Sequence, residues 1–483
     1  LAAGNTFTLD LYGDQLVNLG VDSEVIENVT GIDGEQLKSL VSNNGSIYAD
    51  GGTVAMDVRT AQSLIDGVIN MSGYIQARSI AKKNGSIYLT GGNEGLVSVS
   101  GDIDATGLGA NETGGIVHVL GNRVGLYDYA RIDVSGDAGG GLILVGGDYQ
   151  GLGLIPTAVD NYVGPNVSIF ADAVTGGDGG RTIFWADRRT EFFGTIKARG
   201  GRLFGDGGFA EVSGKEELYF VGSVDTTAPN GKSGTLLLDP DYITVSGGSG
   251  TASASGASSF TTYEDILESV ASTTNIEMIA TNSITFNNSL SFAQTAGQSV
   301  TFTATNGNIS VTDSSDTIET SGGSIIMTAG GTLSIGAVDT NGGDITLTGA
   351  EFTLSGALDA GVGTVTILGA SGETIGLDGT TASTTASTIS TICNGSACGL
   401  TLIQSELSNI TAAKLVIGDD SAGNMYVDGV TLSHISGGVT LNSSGSNGSV
   451  EFGTGASTIK LFTVNAGNGI TVNGDLTVGS SAT

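Results

Sequence analysis

Short alternating runs dominate this chain: apolar and polar residues take turns for a few positions, and Gly, Asn or Asp then interrupts. "NNGSIYAD" from Asn43, "KNGSIYLT" from Lys83, "TGGIVHVLG" from Thr113 and "AGGGLILVGG" from Ala138 share this form. "DGGRTIFWAD" from Asp178 and "DGGFAEVSG" from Asp206 belong to the same series. A period of two is the mark of a strand with one buried face, and the interruptions are tight-turn chemistry. In the second half the series continues with "NGNISV" at Asn306, "SGGSIIMTA" at Ser321, "NGGDITLTG" at Asn341 and "AGVGTVTILG" at Ala360, and Gly323, Gly343 and Gly363 recur every twenty residues. Two further short strand patterns fall between those glycines, making three strands per repeat.

A repeat of this size cannot bury its apolar face alone. It can coil, so that each strand pairs in parallel with its equivalents above and below. The pattern therefore predicts an all-β chain folded as a parallel β-helix, with ladders of Val, Ile, Leu and Ala inside and Gly or Asn at corners that need positive φ. Gly179 and Gly180 are read as corner residues. At roughly 20 to 28 residues per coil and about 4.8 Å per rung, the whole chain amounts to roughly twenty coils and a rod on the order of 100 Å long, with longer lateral loops in the first half.

Three stretches depart from alternation and are expected to form short flanking helices. "DGEQLKSLV" from Asp33 and "TAQSLIDGVIN" from Thr60 place Leu37, Leu40 and Val41, and Leu64, Ile65 and Val68, at helical spacing. "TTYEDILESVAS" from Thr261 does so with Ile266, Leu267 and Val270, and Thr262 is the expected N-cap. It follows the Gly/Ser-rich "SGGSGTASASGASS", so a boundary is expected near residue 250.

Composition agrees with strands. Eighty glycines accompany only four prolines, and the remainder is rich in Ser, Thr, Ala, Val, Ile and Leu, which fit a pleated surface. The net charge of −32 repels phosphate backbones, which argues against nucleic acid as a partner. Every arginine lies at or before Arg202, and from Asp239 onward only Lys414 and Lys460 oppose the acids. No apolar run approaches the roughly 18 to 20 residues of a membrane-spanning helix. The chain begins at Leu1 without a signal-peptide pattern and is read as a processed or excised piece of a longer secreted precursor. Its two cysteines, Cys393 and Cys398 in "CNGSAC", are expected to form a local disulfide in an oxidising compartment.

Several long phrases carry a family resemblance. "LAAGNTFTLDLYGDQLVNLGVD" at the start, "DGGRTIFWADRRTEFFGTIKARGG", "GDGGFAEVSGKEELYFVGSVDT" and "APNGKSGTLLLDPDYITV" are similar to segments of two-partner secretion exoproteins, the filamentous haemagglutinin-like adhesins. The resemblance covers about residues 1 to 250, with only the general style of the repeats beyond. It implies a right-handed parallel β-helix, export from a Gram-negative periplasm through an outer-membrane pore transporter, and display at the cell surface or release. It brings no catalytic residues and no cofactor. In its terms, residues 1–30 are the end of the N-terminal secretion-type domain and 31–245 a β-helix with longer lateral loops. Residues 246–275 are then the Gly/Ser-rich boundary with a short helix, and 276–483 regular repeats that continue beyond the fragment.

Candidate chemistry is sparse. His118 and His434 lie in different repeats, and alternation in "GIVHVLG" puts His118 opposite the apolar positions, at the surface. Neither a zinc site nor a Ser-His-Asp triad has residues to draw on. Paired carboxylates that cleave glycans would have to come from Asp187 and Glu191 beside Arg188 and Arg189; the reading preferred here is that they flank a turn in solvent. Asp137, Asp178 and Asp206 precede glycines at related corners and are the candidates for weakly bound calcium, although no nonapeptide calcium repeat exists. "GGDGG" from Gly176 is not a phosphate cradle, because "RTIFWA", a strand, follows it where a helix is required. Trp185, the only tryptophan, is expected to pack inward or laterally.

The function expected from these readings is that of an adhesin or structural exoprotein, not an enzyme, binding an unidentified receptor or glycan on a host or neighbouring cell. The alternatives are a stalk presenting a C-terminal toxin or effector domain and a glycan-active β-helix enzyme. The repeat rhythm runs almost to Thr483 with no polar cap, so end-to-end self-association or further repeats are expected.

Overall fold

The structure, a computed structural model, describes residues 2–3, 6–12, 16–23, 39–58, 67–81, 83–248, 260–379, 393 and 398–479. It falls into two compact units, one of Leu1–Asp241 with Thr251–Thr262 and Ser269–Ile276, the other of Tyr242–Gly250, Tyr263–Glu268 and Glu277–Thr483. Each unit is a parallel β-helix.

Three parallel ladders run through the first unit. One joins Thr53–Val58, Ser86–Thr90, Ile116–Leu120, Leu142–Val145, the first half of Arg181–Phe192, Phe209–Gly214 and Thr235–Leu238. A second joins Val41–Asn43, Gly67–Met71, Leu96–Val99, Arg123–Leu126, Ala158–Val163, the second half of Arg181–Phe192 and Glu217–Phe220. The third runs from Ser46–Tyr48 to Ser223–Asp225. An antiparallel hairpin of Thr6–Tyr12 and Leu16–Ser23 precedes them.

The second unit repeats the scheme. Its first ladder runs from Ser299–Ala304 through Ser324–Ala329, Ile345–Thr348, Thr364–Leu368, Lys414–Ile417 and Val439–Ser443 to Phe462–Ala466. Ladders beginning at Tyr242–Ser246 and Leu290–Thr295 form two more faces.

Alternation fills the interior. Val300, Phe302 and Ala304 of one strand are fully buried, and Ile325 with Met327 and Ile345 with Leu347 stack on Val300 and Phe302 in register. Each such side chain contributes about 1.5–3 kcal/mol by leaving water. The register is strict, because a one-residue slip would turn every inward residue outward.

At these corners glycine is needed for a steric reason and not for the positive φ expected, which Gly179, Gly180, Gly208, Gly343 and Gly363 lack. A Cβ on Gly180 would lie 2.3 Å from the carbonyl oxygen of Gly141, and one on Gly208 would lie 2.2 Å from that of Gly180. Gly343 and Gly363 stand in the same relation to Gly323 and Gly343, at 2.4 and 2.3 Å. Adjacent coils approach so closely at these corners that only hydrogen fits.

The helix expectations are corrected among the described residues. Most of the stretches from Asp33 and Thr60 lies outside the described residues, and their described ends are strand: Val41 opens Val41–Asn43, and Val68, fully buried, belongs to Gly67–Met71. Pairing with the neighbouring coil satisfies these backbones and overrides the helical spacing. The third stretch gives a helix of only five residues, Glu264–Glu268. Thr262 is not its cap, because the helix begins at Glu264 and the position before it is Tyr263. A second five-residue helix, Gln404–Ser408, was not foreseen.

Candidate functional site

The outward face of the first ladder holds the most unusual chemistry of the first unit. On the strand Phe209–Gly214, Ala210 and Val212 point inward and Phe209, Glu211 and Ser213 outward; register places these three beside Arg181, Ile183 and Trp185. Such a face would ordinarily be solvated. Here a lateral segment, residues 146–157, leaves the strand Leu142–Val145 and covers it, running through the 3-10 turn Tyr149–Gly151.

The cover is apolar and aromatic. Leu144, Ile183 and Trp185 form a buried cluster against which Leu142, Tyr149 and Ile155 pack, and Trp185 is 5% exposed. Its indole N–H donates to Asp187 Oδ1 at 3.1 Å. The Arg181 guanidinium lies against a pair of touching rings, 4.8 Å from the centroid of Tyr149 and 4.9 Å from that of Phe209. Both distances are in the range of cation–π attraction.

Beneath this cover Glu211 is fully buried, at 0% exposure. Its carboxyl oxygens accept the backbone N–H of Gln150 at 3.0 and 3.3 Å, while the Gln150 side-chain amide donates to Asp239 Oδ2 at 2.8 Å. Gln150 reaches both acids from the left-handed region, with φ of 53°, which a non-glycine residue rarely adopts. Burial pushes the Glu211 carboxyl up to about 8; the Asp239 carboxylate adds to the rise, and the Gln150 N–H, the Ser213 hydroxyl and Arg181 oppose it. Glu211 therefore holds its proton at neutral pH.

A groove of about 740 Å³ adjoins this cluster. Paired glycines of successive coils, among them Gly140–Gly141, Gly179–Gly180 and Gly207–Gly208, form its floor. Arg181 and Phe209, which follow the glycines, and Asp206 and Lys232, which precede them, line it as well. The "GGDGG" stretch is thus corner and groove floor, and the strand Arg181–Phe192 follows it.

The other residues singled out in the sequence have structural partners. Asp178 Oδ1 accepts the backbone N–H of Asp206 at 2.7 Å, and Asp206 Oδ1 that of Lys232 at 2.7 Å, so each carboxylate stitches its coil to the next. Asp137 accepts the Asn111 N–H at 2.8 Å, and the Thr175 hydroxyl together with that N–H holds its carboxyl below the usual range. Among the described residues no group of three or more His, Cys, Asp or Glu gathers as metal ligands would.

Asp187, Arg188, Arg189 and Glu191 do not converge on one point. Asp187 is held by Trp185 and by the Thr157 hydroxyl, and Arg188 pairs with Asp160 at 2.5 Å. Arg189 pairs with Glu191 on its own strand and lies 3.7 Å from Glu217. Parallel register lines up Arg123, Asp160, Arg189 and Glu217 on successive coils, a ladder of alternating charge. A pocket of about 260 Å³ lies over part of it, with Tyr127 and Tyr162 in its wall.

His118 is half-buried, its ring edge-on to Tyr88 at 5.0 Å; burial lowers its pKa, and Asp148 opposes the shift. His434 Nε2 lies 3.2 Å from the Leu407 carbonyl oxygen. Cys393 and Cys398 form a disulfide with Cα atoms 5.5 Å apart. Trp185 packs laterally, on the outward face.

Glu211 escaped the sequence reading. Alternation in "FAEVSG" places it outward, where a carboxylate is ordinarily solvated. The signal lay elsewhere, in the long insertion "GGDYQGLGLIPTAVD" after Val145, rich in Gly and apolar residues and long enough to fold back over the sheet. No protein-family model matches this chain, and no curated protein matches it.

Proposed function

We propose that this chain belongs to a secreted or surface-displayed β-helical exoprotein of the two-partner secretion type, serving as an adhesin or structural component at the surface of a Gram-negative bacterium. One observation carries the reading. The phrases that resemble that family, "DGGRTIFWADRRTEFFGTIKARGG" and "GDGGFAEVSGKEELYFVGSVDT", fold as consecutive coils in parallel register, the architecture the resemblance implies. In this proposal an outer-membrane pore transporter exports the protein, and the outward faces and lateral segments meet a receptor or glycan on a host or neighbouring cell.

Co-expression of the full gene with the pore transporter expected at the neighbouring locus tests export. The expected result is appearance of the protein in the medium or on the cell surface only when the transporter is present. Retention in the periplasm in its presence argues against the reading. Binding to a glycan array and to intact cells tests adhesion; the expected result is saturable binding above that of an unrelated β-helix. Turnover of acidic or neutral polysaccharides, abolished by Asp187→Asn, would replace adhesion with catalysis.

A further inference from the structure

We infer that the lateral segment 146–157 is a lid held shut by the proton on Glu211, and that loss of this proton to solvent releases the segment from Trp185 and Arg181. This inference stands whether or not the adhesin reading holds, because it rests only on the outward face of the first ladder.

The closed state suits a neutral carboxyl and not a carboxylate. Glu211 is in register with Ile183 on one side and Leu237 on the other, so its lateral neighbours are apolar. The charged groups facing it are Asp239 and Arg181. Asp239 is a second acid joined to the same Gln150, through its side-chain amide, and ionisation of Glu211 would set two anions about one residue. Arg181 is the only nearby cation with a resolved effect on Glu211, and its guanidinium already lies against two aromatic rings. The Gln150 N–H and the Ser213 hydroxyl are the donors left to offset this. A buried anion so placed is costly, whereas an open segment lets water reach it.

Glycine shapes the path of the segment. Gly146, Gly151 and Gly153 adopt positive φ along it, and Leu152 and Leu154 at its far side are exposed. It is anchored by Tyr149 and Ile155 packing, by the bonds from the Gln150 backbone and side-chain amides, and at its end by the Thr157 hydroxyl on Asp187. The other charges on the lid reinforce the same direction or stay neutral to it. Asp148 is occupied by the Tyr149 N–H and faces His118, whose protonation at acid pH adds an attraction that holds the lid down. Opening uncovers the Trp185 indole and the Tyr149-covered face of Arg181, at the edge of the glycine-floored groove.

Proton linkage gives the size of the effect. With Glu211 near 8 in the closed form and near its ordinary 4.5 when solvated, each pH unit between those values weakens the closed form about tenfold. Trp185 is the only tryptophan, so its fluorescence reports this site alone. The experiment records Trp185 emission and acrylamide quenching of the whole chain from pH 4.5 to 9, with circular dichroism at each point to show that the coils persist. Quenching is expected to rise with pH in the unaltered chain and to stay low throughout in Glu211→Gln. Flat quenching in the unaltered chain, or an unchanged rise in Glu211→Gln, overturns the inference. Should Glu211→Gln fail to fold, hydrogen exchange at the Gln150 amide of the unaltered chain decides: protection that falls with pH, beyond base catalysis of exchange, supports the lid, and constant protection refutes it.

Discussion

Replacing Gly180 by Ala tests whether coil contact, and not turn conformation, demands glycine at the corners. The added methyl would lie 2.3 Å from the Gly141 carbonyl oxygen, 2.8 Å from the Ala171 Cβ and 2.9 Å from the Gly140 carbonyl carbon. Two of the three atoms are backbone, so no rotamer relieves the contact. The Gly141 oxygen also accepts the Arg181 N–H at 2.9 Å, and Gly180 donates to the Ala171 carbonyl at 2.6 Å. Moving the coils apart by enough to admit a methyl strains or breaks these bonds. Overpacking typically costs about 1–3 kcal/mol and a lost backbone hydrogen bond about 1 kcal/mol more, so Gly180→Ala should destabilise the first unit by about 2–4 kcal/mol. Gly45 supplies the control: nothing lies within 4 Å of its hypothetical Cβ and its φ is not positive, so Gly45→Ala should be neutral or stabilising by up to about 1 kcal/mol. Urea unfolding followed through Trp185, five residues beyond Gly180 on the strand that follows it, reads the effect locally. That matters because repeat proteins need not unfold in one step. A Gly180→Ala midpoint no lower than that of Gly45→Ala would refute the close-approach argument.

Other expectations follow from the same geometry. Phe302→Ala, which empties a fully buried position in the second unit, should cost about 3–5 kcal/mol in chemical unfolding followed by circular dichroism. Reducing the Cys393–Cys398 disulfide opens a short loop and should cost only about 2 kcal/mol; the mass should rise by about 2 Da, and a much larger loss would mean that the bridge organises more than its own loop. Folded Glu211 keeps its proton to about pH 8, whereas an unfolded one loses it near 4.5. Its contribution is therefore fully present below pH 4.5 and is lost as pH rises towards 8, so the stability advantage of Glu211→Gln over the unaltered chain should grow across that window in unfolding titrations.

Much of the architecture was legible because a solenoid writes its fold locally. Inward alternation in "SVTFTA" and "SIIMTA", and the twenty-residue recurrence of Gly323, Gly343 and Gly363, each report directly on a rung and a corner. The helices were less legible because helical spacing over a few residues competes with strand pairing to the next coil, as Val68 shows. The site was least legible. Whether an outward residue is solvated depends on what a distant lateral segment covers, and Glu211 lies 61 residues from the Gln150 amide that meets it. The charges around Arg189 were visible as a cluster, but their arrangement across coils is set by register and not by their proximity in sequence.

That arrangement imposes a parity on how this part of the chain can change length. Arg123, Asp160, Arg189 and Glu217 alternate in sign from coil to coil. Deleting the coil that carries Asp160 would bring Arg123 against Arg189, and deleting the one that carries Arg189 would bring Asp160 against Glu217, like charges in direct register. Removing or duplicating two adjacent coils preserves the alternation. Along this face, repeat number is free to drift in even steps and is opposed in odd ones, whereas the Thr rows of the second unit, such as Thr303, Thr328 and Thr348, carry no sign and set no such rule.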